Sequence, residues 1–106
     1  MATGRLGVSA ISAATLTTIY TVPTGTYTVC NVSITNRNAG SVKVRLAMAT
    51  TATPNVQDYI EYDTVIVANG VFERTGLVMN ANLQLVVYSD LANVGATVYG
   101  IETSTT

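Results

Sequence analysis

Histidine and tryptophan are missing from this chain, cysteine occurs once, and charged residues make up only 10% of it. Each shortage closes off a class of chemistry. Without histidine, a serine or cysteine nucleophile lacks its usual base. Without histidine and with one cysteine, the ordinary zinc ligand set cannot be assembled. A single cysteine also forbids an intrachain disulfide. Cys30 lies in "TVCNVSI" between β-branched neighbours, so it reads as a small buried hydrophobe. A reactive thiol wants a cation or a histidine beside it.

Charge is short in both signs, with five cations against six acids and a net charge of −1. The cations Arg5, Arg37, Lys43, Arg45 and Arg74 are scattered, which argues against a nucleic-acid partner. Long apolar runs are absent too: no stretch reaches the roughly 18 residues of a membrane span. The opening "MATGRLGVSAISAA" has no continuous apolar segment of the signal-peptide kind. A protein off the membrane, made in a cytoplasm, is expected. "GRLGVSA" lacks the "GK[ST]" ending of a phosphate loop and reads as a flexible arm. Residues 1–15 are therefore expected to form an N-terminal arm, those before Ile11 extending to clamp a neighbouring subunit.

What is present is threonine, valine, isoleucine and tyrosine, the residues that suit a pleated, half-buried surface. Apolar positions recur every second residue. Strands are expected over 16–22, 27–36, 42–48, 58–67, 71–75, 83–89 and 96–102. Pro23 and Gly25 break the first from the second, and "NRNAGS" at 36–41 predicts a hairpin. In "SVKVRLAM", Val42, Val44, Leu46 and Met48 alternate with Lys43, Arg45 and Ala47, giving one buried and one wet face. Ile60, Tyr62, Val65 and Val67 change parity, which predicts a bulge near Asp63. "TGLVMNANLQ" reads as a crossover. The fold class that follows is all-β: one antiparallel β-sandwich of seven or eight short strands, jelly-roll or Greek-key in type, over 16–102. Residues 103–106 are expected to be a flexible C-terminal tail.

The acids are Asp58, Glu61, Asp63, Glu73, Asp90 and Glu102. "DYIEYD" sets three of them within six residues. On an unbroken strand Glu61 and Asp63 share a face, as a pair for sugar cleavage or a calcium site would require. The simpler reading is a solvated face, or partners for Arg37, Lys43 or Arg45 across a sheet. The six tyrosines, Tyr20, Tyr27, Tyr59, Tyr62, Tyr88 and Tyr99, suit a sugar platform, a protein interface or core-edge packing. "NVS" at 31–33 matches a glycosylation acceptor but falls in mid-strand. No catalytic, cofactor-binding or metal site is expected, and no enzyme.

Two longer stretches carry a likeness. "LTTIYTVPTGTYTVCNVSITNRNAGSVKVRLAM" and "YIEYDTVIVANGVFERTGLVMNANLQLVVYS" resemble a recurrent pattern in small virion proteins of tailed bacteriophages, especially those of cyanobacteria. The matching residues are 17–23, Gly25, Cys30, Asn31 and 42–48, and the likeness spans 16–102. It implies a non-enzymatic β-sandwich without cofactor or metal. The expected role is a capsid decoration (cement) protein on the virion surface. Its expected partners are the major capsid protein and further copies of itself, as a homotrimer or other homo-oligomer. A tail, baseplate or fibre subunit is the alternative within the same resemblance, and a carbohydrate-binding module is a third.

Overall fold

The computed structural model describes residues 2–105. These form eight strands: β1 (Thr3–Ile11), β2 (Thr17–Thr21), β3 (Thr26–Asn36), β4 (Val42–Ala49), β5 (Tyr59–Ile66), β6 (Val71–Met79), β7 (Gln84–Ser89) and β8 (Val94–Ser104). The β-branched alternation produces them directly: in β3 every second residue from Thr26 to Asn36 is buried. One face must leave water, and two such sheets cover each other.

The first sheet has the order β1-β8-β3-β6 and the second β2-β7-β4-β5. β1 pairs with β8, β2 with β7, β3 with β6 and β4 with β5, all antiparallel. The chain is thus one long double ribbon wound into two layers, and β3–β8 and β4–β7 pairing closes the winding. That is the jelly-roll arrangement. Between the layers lie Val22, Cys30, Val32, Ile34, Val44, Leu46, Met79, Leu85, Val87, Val94 and Val98, all at 0% exposure.

Several expectations need correction. The residues read as an N-terminal arm contain a nine-residue strand paired along β8, with Ile11 buried and Leu6 packed against the core. Small residues hid it, and they are small for a reason: a Cβ at Gly7 would come within 2.1 Å of the Ile19 carbonyl oxygen on β2. The strand lies too close to its neighbour for a side chain there. At the other end Thr103 and Ser104 belong to β8, paired with Tyr27 and Thr26, and the Thr105 amide donates to Gly25 O. The sandwich is therefore wider than 16–102. Met1 of the expected arm and Thr106 of the expected tail lie outside the described residues.

The hairpin expected at 36–41 is instead an arch between layers. β3 pairs with β6 and β8, whereas β4 pairs with β5 and β7. Turn residues encode reversal, not which sheet receives the next strand. Half of the crossover expected in "TGLVMNANLQ" is β6, carried past a bulge where Gly76 takes φ 71°; the passage to the second sheet is confined to residues 80–83. The bulge expected near Asp63 is present: Asp63 has φ 52° and the β4–β5 register shifts opposite it.

Polar joints fasten the two layers. At one end Asn36, fully buried on β3, donates its side-chain amide to the carbonyls of Gly40, Ile66 and Val67 at 2.9–3.1 Å. Its Oδ1 accepts from the Asn38 amide, and Asn38 reaches Ala92 O. At the other end the Tyr20 hydroxyl on β2 meets Thr28 of β3 and Glu102 of β8. Along the β5/β6 side, Arg74 of β6 bridges to Glu61 of β5.

Candidate interaction surfaces

All six carboxylates have partners within the chain. Asp58 Oδ2 accepts the Asn55 amide and ties the short 3-10 helix Val56–Asp58. Glu61 accepts from Thr64 Oγ1 at 2.9 Å as well as from Arg74. Asp63 accepts Arg45 Nε at 2.7 Å. Glu73 accepts the Tyr99 hydroxyl at 2.9 Å. Asp90 Oδ1 accepts the Lys43 amide, and Glu102 accepts both the Ala2 amide and the Tyr20 hydroxyl. The bulge separates Glu61 from Asp63: Glu61 turns to Arg74, and Asp63 turns to Arg45 on the outer face of the second sheet. The expected partnering of Arg45 across the sheet is found; the side chains of Arg37 and Lys43 form no ion pair among the described residues. Among those residues no three of Cys, Asp and Glu come together as a metal cage, no pocket opens, and no helix is long and apolar enough to cross a membrane.

Cys30 is fully buried, and burial pushes its thiol up to about 11. Tyr20 is raised to about 12, chiefly by burial and then by donating to Glu102. Asn31 of the "NVS" stretch accepts the Gly76 amide at the β6 bulge. These three serve the fold.

The outer face of the second sheet is different. β4 turns Arg45 outward, because Val44 and Leu46 on either side fill the core. β7 turns Tyr88 outward for the same reason, and the two are register partners. The guanidinium of Arg45 lies 4.1 Å from the Tyr62 ring centroid and 4.7 Å from that of Tyr88. Tyr59 meets Tyr62 edge-on at 5.2 Å. Asp63 fixes the guanidinium through Nε, and that bond holds the Asp63 carboxyl below its ordinary range and raises Arg45. Desolvation opposes both shifts and does not win at this exposed position. The terminal nitrogens of Arg45 and the hydroxyls of Tyr59, Tyr62 and Tyr88 have no partner within the described residues. Tyr62 stands 58% exposed.

Sequence reasoning had each member of this stack and not the stack. Alternation set Arg45 on a wet face, and Tyr62 and Tyr88 were named as interface candidates. Their convergence depends on the β4–β7 register and on the bulge, which no local signal specifies. No protein family, no curated protein and no solved structure matches the chain.

Proposed function

We propose that this chain is a non-enzymatic structural protein of a tailed-bacteriophage virion, a decoration protein that binds the major capsid protein at the capsid surface. The observation that carries the proposal is the Tyr62–Arg45–Tyr88 stack. Tyrosine and arginine dominate the energetics of protein interfaces. Here a carboxylate and two rings hold the arginine in one conformation, so docking loses little further rotamer freedom. Free hydroxyls and guanidinium nitrogens supply hydrogen bonds across the contact. A shell offers many equivalent sites, and repetition makes a modest contact effective. The likeness over 16–102 supports the same reading. The jelly roll is at home in viral capsids and equally in lectins, so fold alone does not choose.

The test is occupancy in purified particles. Hundreds of copies on the shell, falling sharply for Arg45→Ala with Tyr62→Ala, support decoration; a few copies at the tail support a tail, baseplate or fibre subunit. The exposed Tyr62 ring beside the Arg45–Asp63 pair also favours a second reading, a carbohydrate-binding module, because sugars stack on such rings next to hydrogen-bonding groups. Saturable binding to a glycan array, abolished by Tyr62→Ala, would establish it.

A further inference from the structure

The outer face of the first sheet carries a different pattern. Val78 of β6, Val29 of β3 and Ile101 of β8 are successive register partners, and Thr3 of β1 completes the row. Alternation makes them face water: Thr28 and Cys30 beside Val29 are fully buried. Their exposures are 66%, 45% and 55%. Three adjacent aliphatic side chains standing in water on a regular sheet form a contiguous apolar strip. Among the described residues only two charged side chains share this face. Arg5 on the edge strand β1 is exposed and has no partner within the described residues. Glu73 sits on the opposite edge strand, β6, spending one oxygen on Tyr99.

We propose that this face binds a second copy of the chain, face to face, about a two-fold axis parallel to the strands. That rotation sets β8 over the partner's β3 and β1 over the partner's β6. Ile101 then meets the partner's Val29, and Val29 meets the partner's Ile101. The same operation brings Arg5 to the edge that carries the partner's Glu73, twice over. Glu73 and Arg5 lie one register row apart, since Glu73 aligns with Ser33 and Thr97 while Arg5 aligns with Tyr99. That offset is about 7 Å, within reach of an arginine side chain. A two-fold contact must be self-complementary, and a cation on one edge with an acid on the other meets that demand. The size also fits. Four strands at ~4.8 Å and nine residues at ~3.3 Å give about 600 Å² per copy, about 1,200 Å² in all, the lower bound of a stable interface.

The inference is independent of the virion reading, which rests on the second sheet. Its test is the mass of the full chain in solution by sedimentation equilibrium across a concentration series. A monomer–dimer equilibrium is expected, weakened at least about tenfold by Val29→Glu. Because Val29 is exposed, that variant should keep its circular dichroism and melting temperature. Arg5→Glu should weaken the dimer about tenfold, and adding Glu73→Arg should restore it. A wild-type chain that stays monomeric, one that forms trimers, or a dimer indifferent to Val29→Glu overturns the proposal. So does a charge reversal that the second change fails to rescue.

Discussion

The two sheets share one core and meet water in opposite ways. Among the described residues, the first sheet's outer face carries one aliphatic row, Val78, Val29 and Ile101, amid threonine, serine and tyrosine, with a single cation and a single acid at opposite edges. The second sheet's outer face gathers tyrosines around one arginine pinned by Asp63. Alternation explains why each strand has an outer side, but it does not say what that side should hold. The division teaches that the core is settled by burial common to both layers, whereas the outer faces are free to specialise. One carries the apolar row proposed above to meet a copy of itself. The other is a structured patch suited to a partner with carbonyls and apolar bulk.

The sharpest way to break the comparison is to uncouple the layers. Asn36 spans them, and replacing it with alanine takes a donor from the Gly40, Ile66 and Val67 carbonyls, of which Val67 keeps the Gly70 amide, and takes the acceptor from the Asn38 amide. Unpaired buried polar groups cost ~1–3 kcal/mol each, partly relieved by water at the loop, so a loss of about 3 kcal/mol is expected. Urea denaturation measures it. A change under ~1 kcal/mol would mean that the layers hold together by apolar burial alone.

A loss of similar size at each of two buried groups comes from alkali. Folding raises Cys30 to about 11 and Tyr20 to about 12, above their ordinary 9.0 and 10.0. The unfolded chain therefore releases these protons first, and above pH 9 it holds fewer than the native one. Stability is then complete below pH 9 and falls as pH rises through 11 and 12. Each two-unit shift corresponds to about 2–3 kcal/mol. Tyr20→Phe and Cys30→Ala together should flatten the decline. If the doubly substituted protein loses stability as steeply as the original between pH 9 and 12, the two buried groups are not its source.

These joints mark the boundary of what the sequence could tell. The period-two pattern gave strands from β2 onward, and the parity change gave the bulge at Asp63. The same pattern failed at β1, where Gly4, Gly7 and Ser9 break the apolar alternation, Gly7 because the strand lies so close to β2 there. It also failed at Asn36. A turn-forming asparagine looks the same whether it closes a hairpin or bridges two layers; only the burial of its amide between them distinguishes the cases. Of the carboxylate partners only Arg45 was legible; the pairings of Glu61 with Arg74, Glu73 with Tyr99, Asp90 with Lys43 and Glu102 with Ala2 and Tyr20 join residues 13 to 100 positions apart and depend on the register.

The third joint should matter little. Arg74 and Glu61 bridge the β5/β6 side with side chains 39% and 24% exposed. Solvent-accessible pairs are screened and contribute ~0–1 kcal/mol. Glu61→Gln should therefore lower stability by less than ~1 kcal/mol, with a weaker loss still in high salt. A loss as large as that of Asn36→Ala in the same urea titration would move the main coupling from the buried end to the exposed side.

The smallest effect on folding belongs to the patch itself. Tyr62 packs edge-on against Tyr59 and covers Arg45, yet more than half of its surface is in water. Tyr62→Ala removes exposed area and one cation–π contact, worth ~0.5–1 kcal/mol at such a site. Unfolding should shift by no more than that. What should change is adhesion. Without the upper ring, Arg45 keeps Asp63 and Tyr88 but loses the wall that fixes its free nitrogens, and binding to the partner surface should weaken well beyond the change in stability. First-sheet self-association should be untouched, because the two faces lie on opposite sides of the core. If Tyr62→Ala weakens the dimer as much as Val29→Glu does, the two faces do not act separately.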